Sequence, residues 1–155
     1  MHVDSFGHGQ DLVLLHGWAM HGGIFAPIVP RLRAHYRVHV VDLPGHGLSR
    51  ENETRLDLHD VVQRLHQRLP RAVYVGWSLG GLVAMSMAIE HPAKVAGLGV
   101  IAASPSFVRR ADDPLGHGVD TTLFEQFRDD LASNYRRTIE RFLALEVLDD
   151  ENAQS

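Results

Sequence analysis

One stretch of the sequence constrains the fold more than any other, because a buried strand, a sharp turn and the start of a helix follow one another between Val73 and Ala84. Ser78 stands at the tip of that turn, flanked by Gly76 and Gly80 in the pattern Gly-x-Ser-x-Gly. A side chain on such a tight turn adopts strained backbone geometry, and Cβ atoms at the flanking positions would collide with the strand or the helix. The following helix points its first amide hydrogens towards any developing negative charge. The stretch therefore predicts a nucleophilic serine between a strand and a helix.

Strands and helices alternate along the chain on either side of this stretch. Short β-branched and aliphatic runs predict strands, whereas apolar residues three or four apart predict helices. With right-handed crossovers, this alternation is typical of a mostly parallel sheet with helices on both faces, and we predict such an α/β fold, with a short hairpin at the start of the chain. The predicted strands are 11–15, 36–41, 72–75 and 95–102, and the predicted helices are 25–35, 56–69 and 79–89.

One edge of the predicted sheet gathers the candidate functional residues. In parallel sheets the binding sites form at the carboxyl ends of the strands. The glycine-rich loop His16–Gly23 directly follows one predicted strand, and Ser78 directly follows another. We therefore expect this loop and the serine to lie at the same edge.

The character of the sequence changes at Ser104. Polar residues follow, and then an amphipathic tract from Thr121 to Leu148 in which apolar stripes predict two helices. We predict that residues 1–104 form the N-terminal part of the α/β core and that residues 105–155 form part of a helical cap over the active edge.

Composition excludes several classes of function. The net charge is −4 and the basic residues are scattered, so the chain is not expected to bind nucleic acid. Cysteine is absent, which excludes disulfides, thiolate metal sites and a cysteine nucleophile. The eleven histidines form no pair with ligand spacing, and we predict neither a metal nor a cofactor. No apolar run is long enough to span a membrane and Met1–Ser5 lacks the features of a secretion signal, so we expect a cytoplasmic protein.

Three segments together resemble the α/β-hydrolase superfamily: residues 16–18 (His-Gly-Trp), 42–49 (Asp-Leu-Pro-Gly-His-Gly-Leu-Ser) and 76–81 (Gly-Trp-Ser-Leu-Gly-Gly). Within that superfamily the chain is similar to the pimeloyl-[acyl-carrier protein] methyl ester esterase family of biotin synthesis. The narrower likeness depends on the serine turn combined with residues 140–145, Glu-Arg-Phe-Leu-Ala-Leu. It covers nearly all of the chain.

The resemblance implies that Ser78 is the nucleophile of a serine carboxylesterase. Ser78 would attack a methyl ester, methanol would leave, and water would release a free carboxylate. The backbone amides of Leu79 and Trp18 would bind the oxyanion. No cofactor is implied.

The resemblance also assigns roles to the cap. Arg137 and Arg141 would contact an acidic acyl-carrier protein that carries the pimeloyl methyl ester. Five consecutive cap residues would line the acyl channel: Phe142, Leu143, Ala144, Leu145 and Glu146.

Each assignment has a structural alternative. His16 is expected to brace its loop rather than to act as a base. Separately, the alternative role of Trp18 is to fill the wall of the pocket. The apolar cap residues suit the interior of the cap as well as a ligand channel, because a helical stripe does not separate the two. The two cap arginines equally suit a solvated face.

The resemblance implies an acid and a histidine base after the nucleophile, in that order along the chain. After Ser78 the only histidines are His91, before a helix-stopping proline, and His117, in a polar loop, and neither follows a strand. We therefore expect the acid and base to lie beyond Ser155, and residual catalysis of the isolated chain to be only ~10³ to 10⁴-fold over water. The strand 95–102 would then present an unpaired apolar edge, from which we expect poor solubility or assembly with a complementing fragment.

Two further functions fit the same sequence. One is a homologue without catalytic activity that binds an acyl group or an acyl-carrier protein through the cap and pocket. The other is a C–C bond hydrolase, which shares the serine turn. Dehalogenases and epoxide hydrolases are disfavoured because they carry Asp at the position of Ser78.

Overall fold

The strands and helices alternate as the sequence predicts. The computed structural model describes residues 1–50, 56–113 and 116–146. Contacts divide the chain into two compact units, Met1–Pro105 and Ser106–Ser155. The first unit holds the sheet and the second holds a pair of helices.

A five-stranded sheet forms the centre of the first unit. Its strands are β1 (His2–Phe6), β2 (Gln10–Leu15), β3 (Tyr36–Asp42), β4 (Ala72–Trp77) and β5 (Val95–Ile101). The spatial order is β1-β3-β2-β4-β5. Every neighbouring pair is parallel except β1 with β3, which is antiparallel. The mostly parallel sheet is therefore confirmed, and its carboxyl edge collects the loops that follow β2, β3 and β4.

In the described part of the first unit, three α-helices accompany the sheet: α1 (Val29–Leu32), α2 (Leu58–Arg68) and α3 (Leu79–Glu90). The helix predicted over 25–35 is much shorter than expected, because Pro27 and Pro30 cannot donate backbone hydrogen bonds and are tolerated only in a first turn. A 3₁₀ turn, Gly22–Phe25, occupies the approach to α1.

Each face of the sheet has its own apolar core, because alternate side chains of a strand point to opposite faces. Val13 and Leu15 pack in a core that includes residues of α2 and α3. Leu12 and Leu14 pack in a second core with Phe25 and residues of α1. The predicted layer of helices on both faces is confirmed.

The predicted hairpin at the start of the chain is wrong. β1 pairs with β3, with His2 opposite Asp42 and Phe6 opposite Val38, and β2 lies on the other side of β3. The turn between β1 and β2 passes across the start of β3. A Cβ at Gly7 would overlap the carbonyl oxygen of Arg33, and φ is +77° at this glycine. Only glycine allows the chain to cross so closely.

At the other side of the sheet, β5 has a strand partner on one side only among the described residues. Its apolar side chains are partly open to solvent, with exposed fractions of 45% for Leu98 and 54% for Ile101. This agrees with the expected apolar edge, while the expected solubility and assembly of the chain remain predictions.

The second unit contains the two helices predicted in the amphipathic tract, α4 (Thr121–Ser133) and α5 (Tyr135–Glu146). Asp120 caps α4 by accepting a hydrogen bond from the Thr122 N–H at 2.9 Å. The rings of Phe127 and Phe142 pack against each other with their centres 6.0 Å apart. Aromatic packing of this kind holds the helix pair together.

Candidate active site

Ser78 occupies a strained turn between β4 and α3. Its φ is +53° and its ψ is −118°, a conformation that side-chain-bearing residues seldom adopt and that costs about 1–3 kcal/mol. The Ser78 N–H donates to the Ile101 carbonyl at 2.9 Å, and the Ser78 carbonyl accepts from the Gly81 N–H at 2.9 Å. The side chain is half-buried and makes no capping bond to α3. The fold thus holds the main chain of the serine in place, and the side chain is not used to cap the helix.

Glycines make this turn possible because backbone atoms take the place of their side chains. A Cβ at Gly76 would overlap the Gly80 carbonyl, and a Cβ at Gly80 would overlap the carbonyl of Leu15 in β2. A Cβ at Gly81 would overlap the Cβ of Ala103. The helix therefore approaches the sheet more closely at Ser78 than any larger residue would permit.

The loop after β2 lies directly beside the serine. A Cβ at Gly17 would lie 3.3 Å from the Ser78 Cβ and 3.0 Å from the Trp77 ring. Trp18 is the next residue in this loop, and Leu79 is the first residue of α3, whose N–H has no acceptor within the helix. The structure therefore brings the loop that contains Trp18 to the start of the helix that contains Leu79, and the oxyanion-binding role of both amides remains a prediction.

His16 is a buried brace in this loop. Its side chain is fully buried, and its Nε2 accepts a hydrogen bond from the Leu43 N–H at 3.0 Å. The proton must then reside on Nδ1, which donates to the Gly17 carbonyl at 2.7 Å. Burial lowers the pKa of His16 to about 4. Both ring nitrogens are engaged, so His16 is not placed to take a proton from a nucleophile.

The buried His16 makes stability depend on pH. An ordinary histidine pKa of 6.5 in the unfolded chain against about 4 in the folded chain means that the unfolded state binds more protons between these values, so stability falls as pH falls. From pH 7.5 to 5.0 we expect a loss of about 2 kcal/mol from this residue. Urea unfolding across that range measures it.

A matched pair of variants isolates the contribution of His16. His16→Gln should flatten the pH dependence of the free energy of unfolding between pH 5 and 6.5, whatever its overall stability. His8→Gln, at an exposed turn, removes an imidazole without touching the loop and should keep the wild-type slope. Equal slopes in wild type and His16→Gln would contradict the assignment.

Asp42 and His46 were not assigned a role from the sequence, and they tie the loop after β2 to the loop after β3. The two carboxylate oxygens of Asp42 accept from the N–H groups of Gly22 at 2.6 Å and Leu48 at 2.8 Å. Burial alone would raise the pKa of Asp42, but these donors outweigh it and leave the pKa below its usual value. His46 Nε2 accepts from the Ala19 N–H at 3.2 Å. Both contacts depend on pairing between distant loops, for which the sequence carries no local signal.

His91 and His117 are the two histidines that follow Ser78 in the sequence. His91 contacts another histidine away from Ser78, and His117 belongs to the second unit. His91 follows the last residue of α3, ~20 Å along the helix from the serine, and its ring stacks on that of His66 with the ring centres 3.9 Å apart. His117 lies in the second unit, with its Nδ1 at 3.1 Å from Asp113 Oδ2. Neither is assigned as the base.

The predicted channel residues all lie on α5, in the second unit. Phe142 and Leu143 are half-buried and Ala144 and Leu145 are exposed, while the side chain of Glu146 is outside the described residues. Phe142 packs on Phe127, which is a contact internal to the helix pair. Ligand contact by these residues remains a prediction.

No metal centre is found among residues 1–50, 56–113 and 116–146, where no three His, Cys, Asp or Glu side chains are placed to hold an ion. In the same part of the chain, none of the helices combines the length and the apolarity that a membrane span requires.

A family model described as the alpha/beta hydrolase fold matches residues 12–154. The chain is 53% identical over all of its 155 residues to a pimeloyl-[acyl-carrier protein] methyl ester esterase of Xanthomonas campestris pv. campestris (strain B100), and covers 60% of that protein. The protein of the same name in Stenotrophomonas maltophilia (strain K279a) is 52% identical over 154 residues, with 58% of its length covered.

Solved structures show the same architecture. The esterase EaEST from Exiguobacterium antarcticum superimposes with a TM-score of 0.80 at 26% identity, over 90% of this chain and 55% of that one. A bromoperoxidase from Bacillus anthracis gives a TM-score of 0.80 at 25% identity, over 90% and 53%. The chain therefore spans about three fifths of the curated relatives and a little over half of these structures.

Proposed function

Because the chain belongs to the alpha/beta hydrolase fold family, we propose that Ser78 is the nucleophile of a serine carboxylic-ester hydrolase. The observation that supports this most directly is the strained turn, which presents a half-buried hydroxyl with no capping bond at the start of a helix. A strained side-chain-bearing residue persists only where the surrounding structure requires it, and such residues cluster at active sites. In this proposal the strained backbone of Ser78 is what exposes its hydroxyl as a nucleophile.

The reaction proceeds through an acyl-serine ester. Ser78 Oγ attacks the carbonyl carbon of the ester while its proton passes to a general base, and the alcohol leaves with that proton. Water then attacks the acyl-serine and releases a carboxylate. The negative oxygen of each tetrahedral intermediate is bound by the backbone N–H groups of Trp18 and Leu79, each worth about 3–4 kcal/mol of barrier.

No described histidine is assigned as the base of this reaction. His16 uses both ring nitrogens within its loop and is held neutral. Its contribution is to fix the loop that contains Trp18, so that the amide is already oriented when charge develops. Preorganised donors of this kind cost no reorganisation during the reaction.

The substrate we propose is the methyl ester of a pimeloyl chain attached to acyl-carrier protein, with methanol as the leaving alcohol. The support is the name shared by relatives that are 50–54% identical over the chain. In this proposal the cap residues 142–146 contact the acyl chain. An acyl-carrier protein is acidic, so its binding surface on the enzyme should be basic.

The experiment uses two forms of the protein: the 155-residue chain, and a chimera in which the chain is continued by the part of the Xanthomonas campestris relative that follows the matched segment. Hydrolysis of 4-nitrophenyl butyrate and methanol release from pimeloyl-acyl-carrier protein methyl ester are both measured. We expect the chimera to turn over both substrates. A folded chimera that binds the carrier protein without turnover would contradict the esterase proposal and favour a non-catalytic binding protein.

Arg137 and Arg141 are the carrier-protein contacts we propose. Both are exposed on α5, and among the described residues neither is paired with an acidic side chain. Arg136, on the same helix, differs because its Nε donates to Glu140 Oε1 at 3.0 Å. The helix therefore offers two unpaired positive charges one turn apart, which suits an acidic partner.

Reversing these two charges should weaken carrier-protein binding. We expect the Arg137→Glu/Arg141→Glu chimera to bind at least ~5-fold more weakly at low salt, with the difference shrinking as salt rises. Fluorescence anisotropy with labelled carrier protein measures both effects. Arg128→Glu/Arg136→Glu is the control with the same change of charge. It should change affinity less than ~2-fold, since both of these charges are already paired with acidic side chains. Equal losses in the two double variants would indicate a nonspecific charge effect and contradict the assignment.

A further inference from the structure

A second serine, far from Ser78 along the chain, is linked to an imidazole and a carboxylate. Ser5 Oγ lies 2.9 Å from His39 Nδ1, and His39 Nε2 lies 2.7 Å from Asp11 Oδ1. The three residues come from β1, β3 and β2, which are neighbours in the sheet. The sheet thus assembles a Ser5–His39–Asp11 network from three separate strands.

Strand register accounts for the network. Ser5 stands directly opposite His39 in the antiparallel pair, and Val13 stands opposite His39 in the parallel pair. Asp11 precedes Val13 by two residues, so its side chain points to the same face of the sheet. The three side chains therefore share one face and meet without any distortion of the strands.

With a neutral His39 imidazole, the donors and acceptors of the network have one assignment. An ionised Asp11 carboxylate only accepts, so His39 Nε2 carries the proton and donates to it. His39 Nδ1 is then an acceptor, and the Ser5 hydroxyl donates to it. The imidazole is 5% exposed, whereas Ser5 is open to solvent. An accessible hydroxyl therefore donates to a base that a carboxylate orients, which is the arrangement that activates serine nucleophiles.

The network opens on a polar cavity of about 520 Å³. Ser5 and His39 line it, together with the side chains of Arg37 and Arg68 and the last residues of α2. Two guanidinium groups give the cavity positive charge, and neither Ser78 nor its sequence neighbours line it. Arginine binds carboxylates and phosphates in preference to neutral groups.

We propose that the Ser5–His39–Asp11 network is a second acyl-accepting site, specific for small activated esters that carry a negative charge. Ser5 Oγ forms a bond to the acyl carbon while its proton moves to His39 Nδ1, and the bond between the acyl carbon and the leaving oxygen breaks. His39 returns the proton to the leaving group, and Ser5 retains the acyl group as an ester. Asp11 stabilises the imidazolium formed in between. Arg37 binds the negative charge of the ester.

The test is independent of the esterase proposal because it is made on the full chain with Ser78→Ala. The protein is incubated with 4-nitrophenyl hemisuccinate, and acylation is located by mass spectrometry of peptides. The N-terminal amine is blocked beforehand and the acylated residue is assigned by fragmentation, because an activated ester also acylates amines. We expect Ser5 to be acylated at least ~10-fold faster than Ser133. Ser133 is the internal control: it is exposed, and its hydroxyl donates only to the Asp130 carbonyl at 3.2 Å.

Substitutions test whether the network activates the Ser5 hydroxyl or only anchors β1 to the sheet. Asp11→Asn should slow acylation of Ser5 at least ~10-fold while circular dichroism and the urea midpoint stay near those of the parent, because the position is partly exposed. Arg37→Gln should remove the preference for hemisuccinate over the neutral 4-nitrophenyl acetate. Acylation of Ser5 at the rate of Ser133, or a folded Asp11→Asn variant with an unchanged rate, would overturn the proposal.

Discussion

Ser78→Ala is expected to lower ester hydrolysis by the chimera by ~10⁴-fold or more, because the substitution removes the atom that forms the covalent bond. Residual turnover would come from the oxyanion donors and substrate binding alone. The fold should tolerate the change, since the Ser78 side chain caps nothing and its contacts to Ile101 and Gly81 are made by backbone atoms. Initial rates with 4-nitrophenyl butyrate and methanol release from the carrier-protein ester measure the loss.

A control on the same helix excludes a general effect of losing a hydroxyl. Ser86 lies in α3 about two turns from Ser78 and is half-buried. Ser86→Ala should keep activity within ~2-fold, since alanine suits a helix interior. A fluorophosphonate should label the chimera on the peptide that contains Ser78, and should do so equally in the Ser86→Ala variant. Turnover retained by the Ser78→Ala chimera would contradict the assignment of Ser78 as the nucleophile, whether or not Ser5 is acylated.

Gly80→Ala is expected to destabilise the protein by about 3 kcal/mol or more, or to prevent folding. In an ordinary helix interior the same change stabilises by about 0.5–1 kcal/mol. Here the added Cβ would overlap the carbonyl of Leu15 and lie 2.7 Å from the carbonyl oxygen of His16. These are backbone atoms at the end of an interior strand, so no side chain can move aside. Helix α3 would have to withdraw from the sheet at the serine.

Gly97→Ala is the matched control for this effect. Gly97 lies in β5, and an added Cβ would approach the Val73 side chain no closer than 3.5 Å, an ordinary contact. Its φ is not positive, so alanine is not strained there. We expect a change within about 0.5 kcal/mol in the free energy of urea unfolding. Similar losses in both variants would show that close packing at Gly80 is not the cause.

The local sequence pattern predicts a structural element correctly where that element depends on neighbouring residues. The run from Val73 to Ala84 contains its own strand, glycines and helix, and the structure places Ser78 at a positive φ between them. The bracing role expected for His16 also agrees with its two loop hydrogen bonds. The helix predicted over 25–35 is longer than α1, because Pro27 and Pro30 limit the helix to a single turn.

Contacts between segments that are far apart in the sequence could not be predicted from local pattern. Two successive short strands joined by a glycine turn favour a hairpin, yet β1 reaches past β2 to pair with β3. His39 lies in the strand predicted over 36–41, and its contacts with Ser5 and Asp11 span 34 and 28 residues. No local periodicity encodes such a separation.

The sequence by itself determined the α/β class, the position of the serine turn and the family, because each depends on steric demands that a short run of residue types expresses. Tertiary structure alone decided which loops meet at Ser78, which ring nitrogen of His16 carries the proton, and that the Ser5 hydroxyl lies against the His39 imidazole. Those outcomes depend on the order and register of the strands. The order and register are set when the whole chain buries the two apolar faces of the sheet, so no single segment determines them.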